Sequence, residues 1–187
     1  KKIYNKLNFF CDKLTPRAKI VECASLISYP GCYPQIWHSD TDYTSDSDGN
    51  LISFGIALSD ITDDMGPLEV YLSSNKIHNI PEENLQKKYS LPDDSIGDGD
   101  NDIEEILDGT KYQVSNEICK KMGFQHVKCS CNIGDLVIWS SKVIHRGGAN
   151  TKRKRAIFYF SLLGEGDRPE GATYSLKDAD KDTWIKD

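Results

Sequence analysis

Residues 33–40 of the chain read Tyr33-Pro34-Gln35-Ile36-Trp37-His38-Ser39-Asp40. An apolar, aromatic segment bounded by turn residues on both sides is typical of a short β-strand. Side chains two positions apart share one face of a strand, so we expect those of His38 and Asp40 to point the same way. An imidazole beside a carboxylate supplies two of the three ligands of a 2-His-1-carboxylate metal site. A structural hydrogen-bonded pair is the alternative that these two residues alone leave open.

The third ligand of such a site is expected to be a histidine far along the chain. The segment 135–150 places His145 at the end of an apolar run, and a basic cluster ending in Arg155 follows it. Arg155 opens the apolar segment 156–163, which we expect to be a strand. His-X-Asp, a distant His, and then an Arg one strand later resembles the order found in Fe(II)- and 2-oxoglutarate-dependent oxygenases. Zinc hydrolysis also fits a His/His/Asp site, but it leaves the arginine unexplained.

The sequence around these residues narrows the resemblance. Three phrases carry it, namely Asn-Leu-Ile-Ser-Phe-Gly-Ile-Ala-Leu-Ser-Asp-Ile-Thr at 50–62, Met-Gly-Pro-Leu-Glu-Val at 65–70 and His-Arg-Gly-Gly-Ala-Asn at 145–150. Together they resemble the phytanoyl-CoA dioxygenase family, over about residues 18–78 and 124–164. The resemblance implies an enzyme that hydroxylates an organic substrate with O2 and releases succinate and CO2 from 2-oxoglutarate.

The resemblance also implies roles for particular residues. His38, Asp40 and His145 would hold Fe(II), and the Arg155 guanidinium would clamp the far carboxylate of 2-oxoglutarate in bidentate fashion. Arg153 is the alternative clamp, because it has the same strand parity as Arg155. The retained Asp40 argues against the halogenating variants that the chain otherwise resembles, because those lack this carboxylate.

Some features of the chain leave the cosubstrate pocket and the catalytic activity open. Ser25 and Ile56, each in a strand flanking the ligand segment, are candidates for the wall of the cosubstrate pocket, although plain core packing is the favoured interpretation of both. The family's usual Pro-Gly-Ser-His is replaced by Leu-Ser-Ser-Asn at 72–75, and Gly147 stands where some members have a serine. Both departures are expected to alter the pocket wall. A jelly-roll protein that binds metal without turnover, or a cupin-like metalloenzyme without 2-oxoglutarate, are the alternative functions.

The pattern along the chain predicts a mainly β fold. Short strands at regular intervals favour a sandwich or barrel, and a count of about eight suits the double-stranded β-helix (jelly roll, cupin-like) that the resemblance implies. A helix over 2–14 is expected to flank the sheets. A helical insertion over about 79–123 interrupts the strands, and we expect it to form a lid over the active site within a single oxygenase domain, 1–187.

Composition excludes some classes of protein. A net charge of −6 over 187 residues argues against a nucleic-acid partner, and no apolar run approaches the ~20 residues that cross a bilayer. The six cysteines match no disulfide scaffold, so we expect reduced thiols and a cytoplasmic protein. Because the first residue is Lys1 rather than Met, we expect the chain to be a trimmed form of a longer one. The substrate, a small molecule or a peptidyl side chain, is not readable, although the acidic balance disfavours coenzyme A.

Overall fold

The computed structural model describes three stretches of the chain and three single residues. These residues are 18–41, 50–79, 116–166, 169, 175 and 176. The helix expected over 2–14 lies outside them, and so do residues 80–115 of the insertion. The lid expected over 79–123 therefore stays a prediction.

Seven strands in the described residues form two antiparallel sheets. They are β1 (Lys19–Ser28), β2 (Leu51–Ala57), β3 (Leu68–Tyr71), β4 (His126–Cys129), β5 (Leu136–Ser140), β6 (His145–Gly147) and β7 (Arg155–Leu163). The larger sheet has the order β1-β7-β2-β5 and the smaller one β4-β3-β6. Strands distant in sequence are neighbours in both sheets, as in a double-stranded β-helix. The expected mainly β, jelly-roll fold is confirmed.

Two short helical segments connect strands of the smaller sheet. A 3-10 helix, Ser74–Asn79, follows β3, and α1 (Asn116–Lys121) precedes β4. The α1 helix was expected from its sequence, with a glycine at its end. Gly123 has a φ of 75° and donates its backbone N–H to the Lys120 carbonyl at 2.9 Å, which is the left-handed C-cap that glycine favours.

The stretch 33–40 is extended but is not the regular strand that its sequence suggests. Its one ladder contact is an isolated antiparallel bridge between His38 and His145. Closer to its start, the Gln35 N–H donates to the Gly147 carbonyl at 2.9 Å. Gln35 and His38 are three residues apart, whereas their partners Gly147 and His145 are two residues apart. The register therefore shifts between the two contacts, and no continuous ladder forms. The segment nevertheless runs along the free side of β6 and extends the smaller sheet.

The β2 strand is buried on both faces, whereas its alternating sequence predicts a half-buried strand. Ile52 and Phe54 point to the outer face of the larger sheet, where they cluster with Leu162, and the Phe54 ring stacks on Phe160 with centroids 4.8 Å apart. The opposite face carries small residues and is turned towards the space between the sheets. Residues of both faces are buried from Leu51 to Ala57, with Ile56 half-buried.

The remaining sequence expectations are tested only in part. None of the five cysteines in the described ranges forms a disulfide, namely Cys23, Cys32, Cys119, Cys129 and Cys131. Among the helices that the structure describes, none has the length and apolar character needed to cross a membrane.

Candidate metal centre and cavity

Backbone pairing brings the two candidate histidines together. The His38 N–H donates to the His145 carbonyl at 3.0 Å, and the His145 N–H returns a bond to the His38 carbonyl at 2.8 Å. Residues that exchange both bonds lie directly opposite each other in an antiparallel pair. Their rings therefore lie on one face, with centroids 4.6 Å apart.

The third member of the cluster is Asp40. Its Oδ1 atom lies 3.8 Å from Nε2 of His38 and 3.6 Å from Nε2 of His145. One ligand atom from each of the three residues lies within 4.8 Å of the others, so a single metal ion could contact all three. Two imidazoles and one carboxylate are the donor set of non-haem Fe(II) sites that leave other positions open. The structure brings the three expected side chains together, and their role as ligands stays a prediction.

Both imidazoles are oriented by hydrogen bonds on their far side. Nδ1 of His38 lies 2.8 Å from the Ile36 carbonyl, and Nδ1 of His145 lies 2.9 Å from the Val143 carbonyl. A carbonyl only accepts, so each Nδ1 carries a proton. In the neutral ring this leaves a lone pair on Nε2, the atom that faces Asp40. A hydrogen bond of this kind fixes the tautomer and orientation of metal-ligating histidines.

Asp40 is held by its own neighbours. Its N–H donates to the Ser141 carbonyl at 2.8 Å, and the Thr41 hydroxyl donates to the Ser141 hydroxyl at 2.5 Å. The indole Nε1 of Trp139 lies 3.4 Å from Oδ2 of Asp40, so the carboxylate oxygen turned away from the histidines has a donor. Trp139 thereby lines the cavity beside the metal cluster.

Arg155 lines the same cavity, of about 300 Å³, as the three metal-site candidates. Its side chain is 3% exposed, and Nε donates to the Met65 carbonyl at 3.0 Å. Nη1 is buried without a hydrogen-bond partner among the described residues. Burial lowers the pKa of Arg155, but a guanidinium stays protonated at neutral pH. The cavity is therefore lined by a buried cation whose Nη1 atom has no acceptor among the described residues.

The alternative clamp has a different position. Arg153 is exposed and precedes β7, and its Nε points to the Met65 sulfur at 3.4 Å. It is not among the residues that line the cavity, whereas Arg155 is. The geometry therefore favours Arg155 over Arg153 for any ligand in this space.

Ser25 and Ile56 are not among the residues that line this cavity, so a role in a cosubstrate pocket stays a prediction for both. Ser25 pairs with Phe158 across the β1–β7 ladder, and Ile56 pairs with Phe158 across the β2–β7 ladder. All three lie on the outer face of the larger sheet. Alternate residues of a strand face opposite sides, and the inward positions are their neighbours in β1 and β2.

Of the two departures from the family pattern, one touches the cavity and one does not. Gly147 lines it, and a Cβ atom there would stand 2.9 Å from Oε1 of Gln35 and 3.5 Å from Nη2 of Arg155. Residues 72–75 are not in the lining of this cavity, so their effect on the pocket wall stays a prediction. Ser74 is instead structural, because its hydroxyl donates to the Tyr71 carbonyl and accepts from the Ile144 N–H, both at 2.7 Å.

Several residues of the cavity carried no sequence signal. They are polar or aromatic side chains of the larger sheet, namely Glu22, Ser53, Trp139, Tyr159 and Ser161. Each lies in a predicted strand, but only the register of the ladders determines which face meets the metal cluster. No spacing within the sequence could have identified them.

Comparison with known proteins places the chain in a family. The sequence profile of the phytanoyl-CoA dioxygenase family matches residues 12–156. No curated protein sequence matches the chain at a significant level.

Several solved structures have a fold similar to that of this chain. AviO1 from Streptomyces viridochromogenes Tue57 superposes with a TM-score of 0.55 at 16% identity, over 91% of this chain and 60% of its own. The non-haem α-ketoglutarate-dependent carbocyclase SnoK, from nogalamycin biosynthesis, has a TM-score of 0.53 at 14% identity, over 83% and 53%. The epimerase SnoN, solved with Fe3+, α-ketoglutarate and nogalamycin RO, has a TM-score of 0.52 at 15% identity, over 86% and 63%.

The chain thus spans between 53% and 63% of the length of these three proteins. At such identities the superpositions establish the fold alone. The profile match is the stronger finding, because it covers well over half of the sequence and includes the metal cluster and Arg155. The chain belongs to the phytanoyl-CoA dioxygenase family.

Proposed function

We propose that the protein is an Fe(II)- and 2-oxoglutarate-dependent oxygenase that hydroxylates a small organic molecule and releases succinate and CO2. His38, Asp40 and His145 would hold the metal. Arg155 would bind the far carboxylate of 2-oxoglutarate. Family membership and the donor set of the cluster support the proposal.

The observation that carries this proposal is the state of Arg155. A buried, unpaired guanidinium is costly, and such groups occur where an anionic partner meets them. Arg155 has a buried Nη1 atom with no acceptor in the described part of the chain, and it faces the cavity that the metal cluster also lines. A dicarboxylate with one end at the cluster and the other at Arg155 satisfies both groups. A zinc hydrolase or a cupin-like enzyme without 2-oxoglutarate provides no such partner.

When bound, Fe(II) with 2-oxoglutarate and O2 supplies the oxidising chemistry. The protein's own contribution is geometry. The Ile36 and Val143 carbonyls hold the two imidazoles with Nε2 towards the cavity, and the Trp139 N–H orients Asp40. The Met65 carbonyl fixes the Arg155 side chain, so the planar fork is positioned before the anion arrives.

Hydroxylation itself is the finer part of the proposal. Two structural neighbours are described as a carbocyclase and an epimerase rather than as hydroxylases, so related folds support different oxidative outcomes. Hydroxylation is proposed because the chain belongs to the phytanoyl-CoA dioxygenase family, and the retained carboxylate at Asp40 argues against halogenation. Mass analysis of the product distinguishes the outcomes, since hydroxylation adds one oxygen atom and ring closure or epimerisation adds none.

The proposal is tested by loading the purified protein with Fe(II) and 2-oxoglutarate without oxygen and then admitting oxygen. A weak visible charge-transfer band, a property of this class of oxygenase, is expected on loading, and succinate is expected once oxygen enters. Absence of the band after both Fe(II) and 2-oxoglutarate have been added would refute the 2-oxoglutarate site. A band without succinate, across a panel of candidate substrates, would identify a binding protein that turns nothing over.

A further inference from the structure

Gly147 lies in the cavity wall two residues beyond His145 on β6. Alternate residues of a strand share a face, so Gly147 faces the cavity on the same side as the candidate ligand, about 7 Å further along at ~3.3 Å per residue. A Cβ atom on Gly147 would stand 3.5 Å from Nη2 of Arg155. The space above this glycine therefore lies next to the guanidinium that the proposed function assigns to the cosubstrate.

The side chain of Gln35 borders the same space. The position of a Cβ atom on Gly147 lies 2.9 Å from Oε1 and 3.4 Å from Cδ of Gln35. Gln35 and Arg155 both line the cavity. A carboxamide and a guanidinium from distant parts of the chain thus meet at one small space above a glycine.

Two hydrogen bonds to Gly147 hold Gln35 in this place. The Gln35 N–H donates to the Gly147 carbonyl at 2.9 Å, and Oε1 of Gln35 accepts from the Gly147 N–H at 2.7 Å. A regular antiparallel pair exchanges two backbone bonds, whereas Gln35 supplies one bond from its backbone and one from its side chain. Because the carboxamide is anchored before a ligand arrives, little conformational entropy is left to lose on binding.

The anchor also determines which end of the carboxamide is left for a ligand. A backbone N–H only donates, so the atom that faces it is the amide oxygen, and the NH2 group is the other end. Within the described part of the chain, the side-chain hydrogen bond of Gln35 uses Oε1, and Nε2 has no acceptor. Nη1 of Arg155 likewise has no acceptor among the described residues. Both atoms can only donate, so an oxygen anion suits both.

We propose that Gln35 is a second cosubstrate-binding residue, whose Nε2 donates a hydrogen bond to the far carboxylate of 2-oxoglutarate beside Arg155. The inference rests on the proposed function, because it takes that carboxylate as the partner of Arg155. A carboxylate has about four acceptor positions, so a bidentate arginine leaves oxygen lone pairs for an amide. Gln35 is an exposed residue, so its bond adds to that of the buried arginine and does not replace it.

Gln35→Glu separates this role from closure of the strand pairing. The substitution keeps an oxygen for the Gly147 N–H, but it replaces the NH2 donor with a negative oxygen that repels a carboxylate. Two ligands are titrated by calorimetry into the protein loaded with Co(II), namely 2-oxoglutarate and 2-oxopentanoate, the five-carbon keto acid that lacks the far carboxylate. We expect Gln35→Glu to weaken 2-oxoglutarate binding at least tenfold, to leave 2-oxopentanoate binding unchanged, and to keep the thermal unfolding midpoint near that of the wild-type protein.

A second variant and a control complete the test. Gln35→Met has a side chain of similar length without the donor or the acceptor, and it should weaken 2-oxoglutarate severalfold more than 2-oxopentanoate. Gln125→Glu adds the same charge at an exposed glutamine outside the cavity lining and should bind both ligands as the wild-type protein does.

Two results would overturn the role of Gln35 and leave the proposed function in place. One is unchanged 2-oxoglutarate binding in both Gln35 variants, and the other is an equal loss of affinity for the two keto acids, which would indicate a distorted strand. If the wild-type protein loaded with Co(II) did not bind 2-oxoglutarate, the proposed function itself would be wrong, and the role of Gln35 with it.

Discussion

Nε of Arg146 donates to Oε2 of Glu69 at 2.8 Å, and this bond joins two strands that flank the metal cluster. Glu69 belongs to β3 and is 4% exposed, and Arg146 directly follows the candidate ligand His145. The Arg146 guanidinium also lies over the Trp37 ring, 4.5 Å from its centroid. Trp37 directly precedes His38. A buried carboxylate of the Gly-Pro-Leu-Glu-Val phrase thus supports the neighbours of both histidines.

The first prediction is that Glu69→Ala destabilises the protein by about 2–3 kcal/mol. The expected loss is smaller than that for a fully buried ion pair, because the Arg146 side chain is 25% exposed. The free energy of unfolding in urea measures it. The control is Lys128→Ala, because this amine lies 3.8 Å from Glu69 and is 42% exposed. It should cost less than about 1 kcal/mol. Equal losses in the free energy of unfolding for the two substitutions would mean that burial does not strengthen the Glu69–Arg146 pair.

Replacing any one of His38, Asp40 and His145 with Ala should abolish iron-dependent turnover of 2-oxoglutarate without unfolding the domain. Each contributes one ligand atom to the cluster, and two ligands hold iron too weakly for turnover. Succinate formation measures the loss, and circular dichroism checks the fold. A variant that keeps full turnover would remove its residue from the ligand set.

Arg155→Ala should raise the 2-oxoglutarate concentration needed for half-maximal turnover by more than tenfold, while metal binding persists. Truncating one partner of a partly buried charge pair costs about 2–5 kcal/mol, and Arg155 is the buried arginine of the cavity lining. Arg153→Ala is the matched control, because it removes an exposed arginine two residues away. A larger increase in the required 2-oxoglutarate concentration for Arg153→Ala than for Arg155→Ala would mean that Arg153 binds the far carboxylate.

Gly66→Ala should weaken 2-oxoglutarate binding as well as stability. Gly66 has a φ of 67°, and an added Cβ would collide with the Gly148 carbonyl oxygen. The neighbouring Met65 carbonyl holds the Arg155 side chain, so a shift of this loop would move the clamp. Gly134→Ala is the control, because φ is 87° there but no atom lies within 4 Å of the new Cβ. It should cost only the left-handed conformation, about 1–2 kcal/mol.

The buried thiol of Cys119 should resist alkylation in the folded protein. Burial raises its pKa to about 12, so on the order of one thiol in ten thousand is the reactive thiolate at pH 8. Cys32 is exposed and should react first. Iodoacetamide labelling with mass-spectrometric mapping measures the order, with and without urea. Rapid labelling of Cys119 without urea would mean that the helix α1 opens readily.

Much of the fold and of the metal cluster followed from local patterns. The apolar segment 156–163 predicted β7 to within one residue, because a short apolar run of this length is typical of a strand. The spacing of His38 and Asp40 placed them on one side of an extended segment, and family phrases identified His145 and Arg155. These features depend on a few consecutive residues and on their order along the chain.

Which strand face meets the cavity was decided only by the tertiary structure. Ser25 and Ile56 lie in the expected strands but face outwards, because their ladders with β7 turn Glu22 and Ser53 inwards. A shift of one residue in register exchanges the two faces of a strand, and nothing within a single strand determines the register. The polar residues of the cavity wall have the same origin, since they are distant in sequence and meet only when the strands of the larger sheet align. The sequence by itself therefore determined the reactive residues of the metal cluster, and the pairing of distant strands determined what surrounds them.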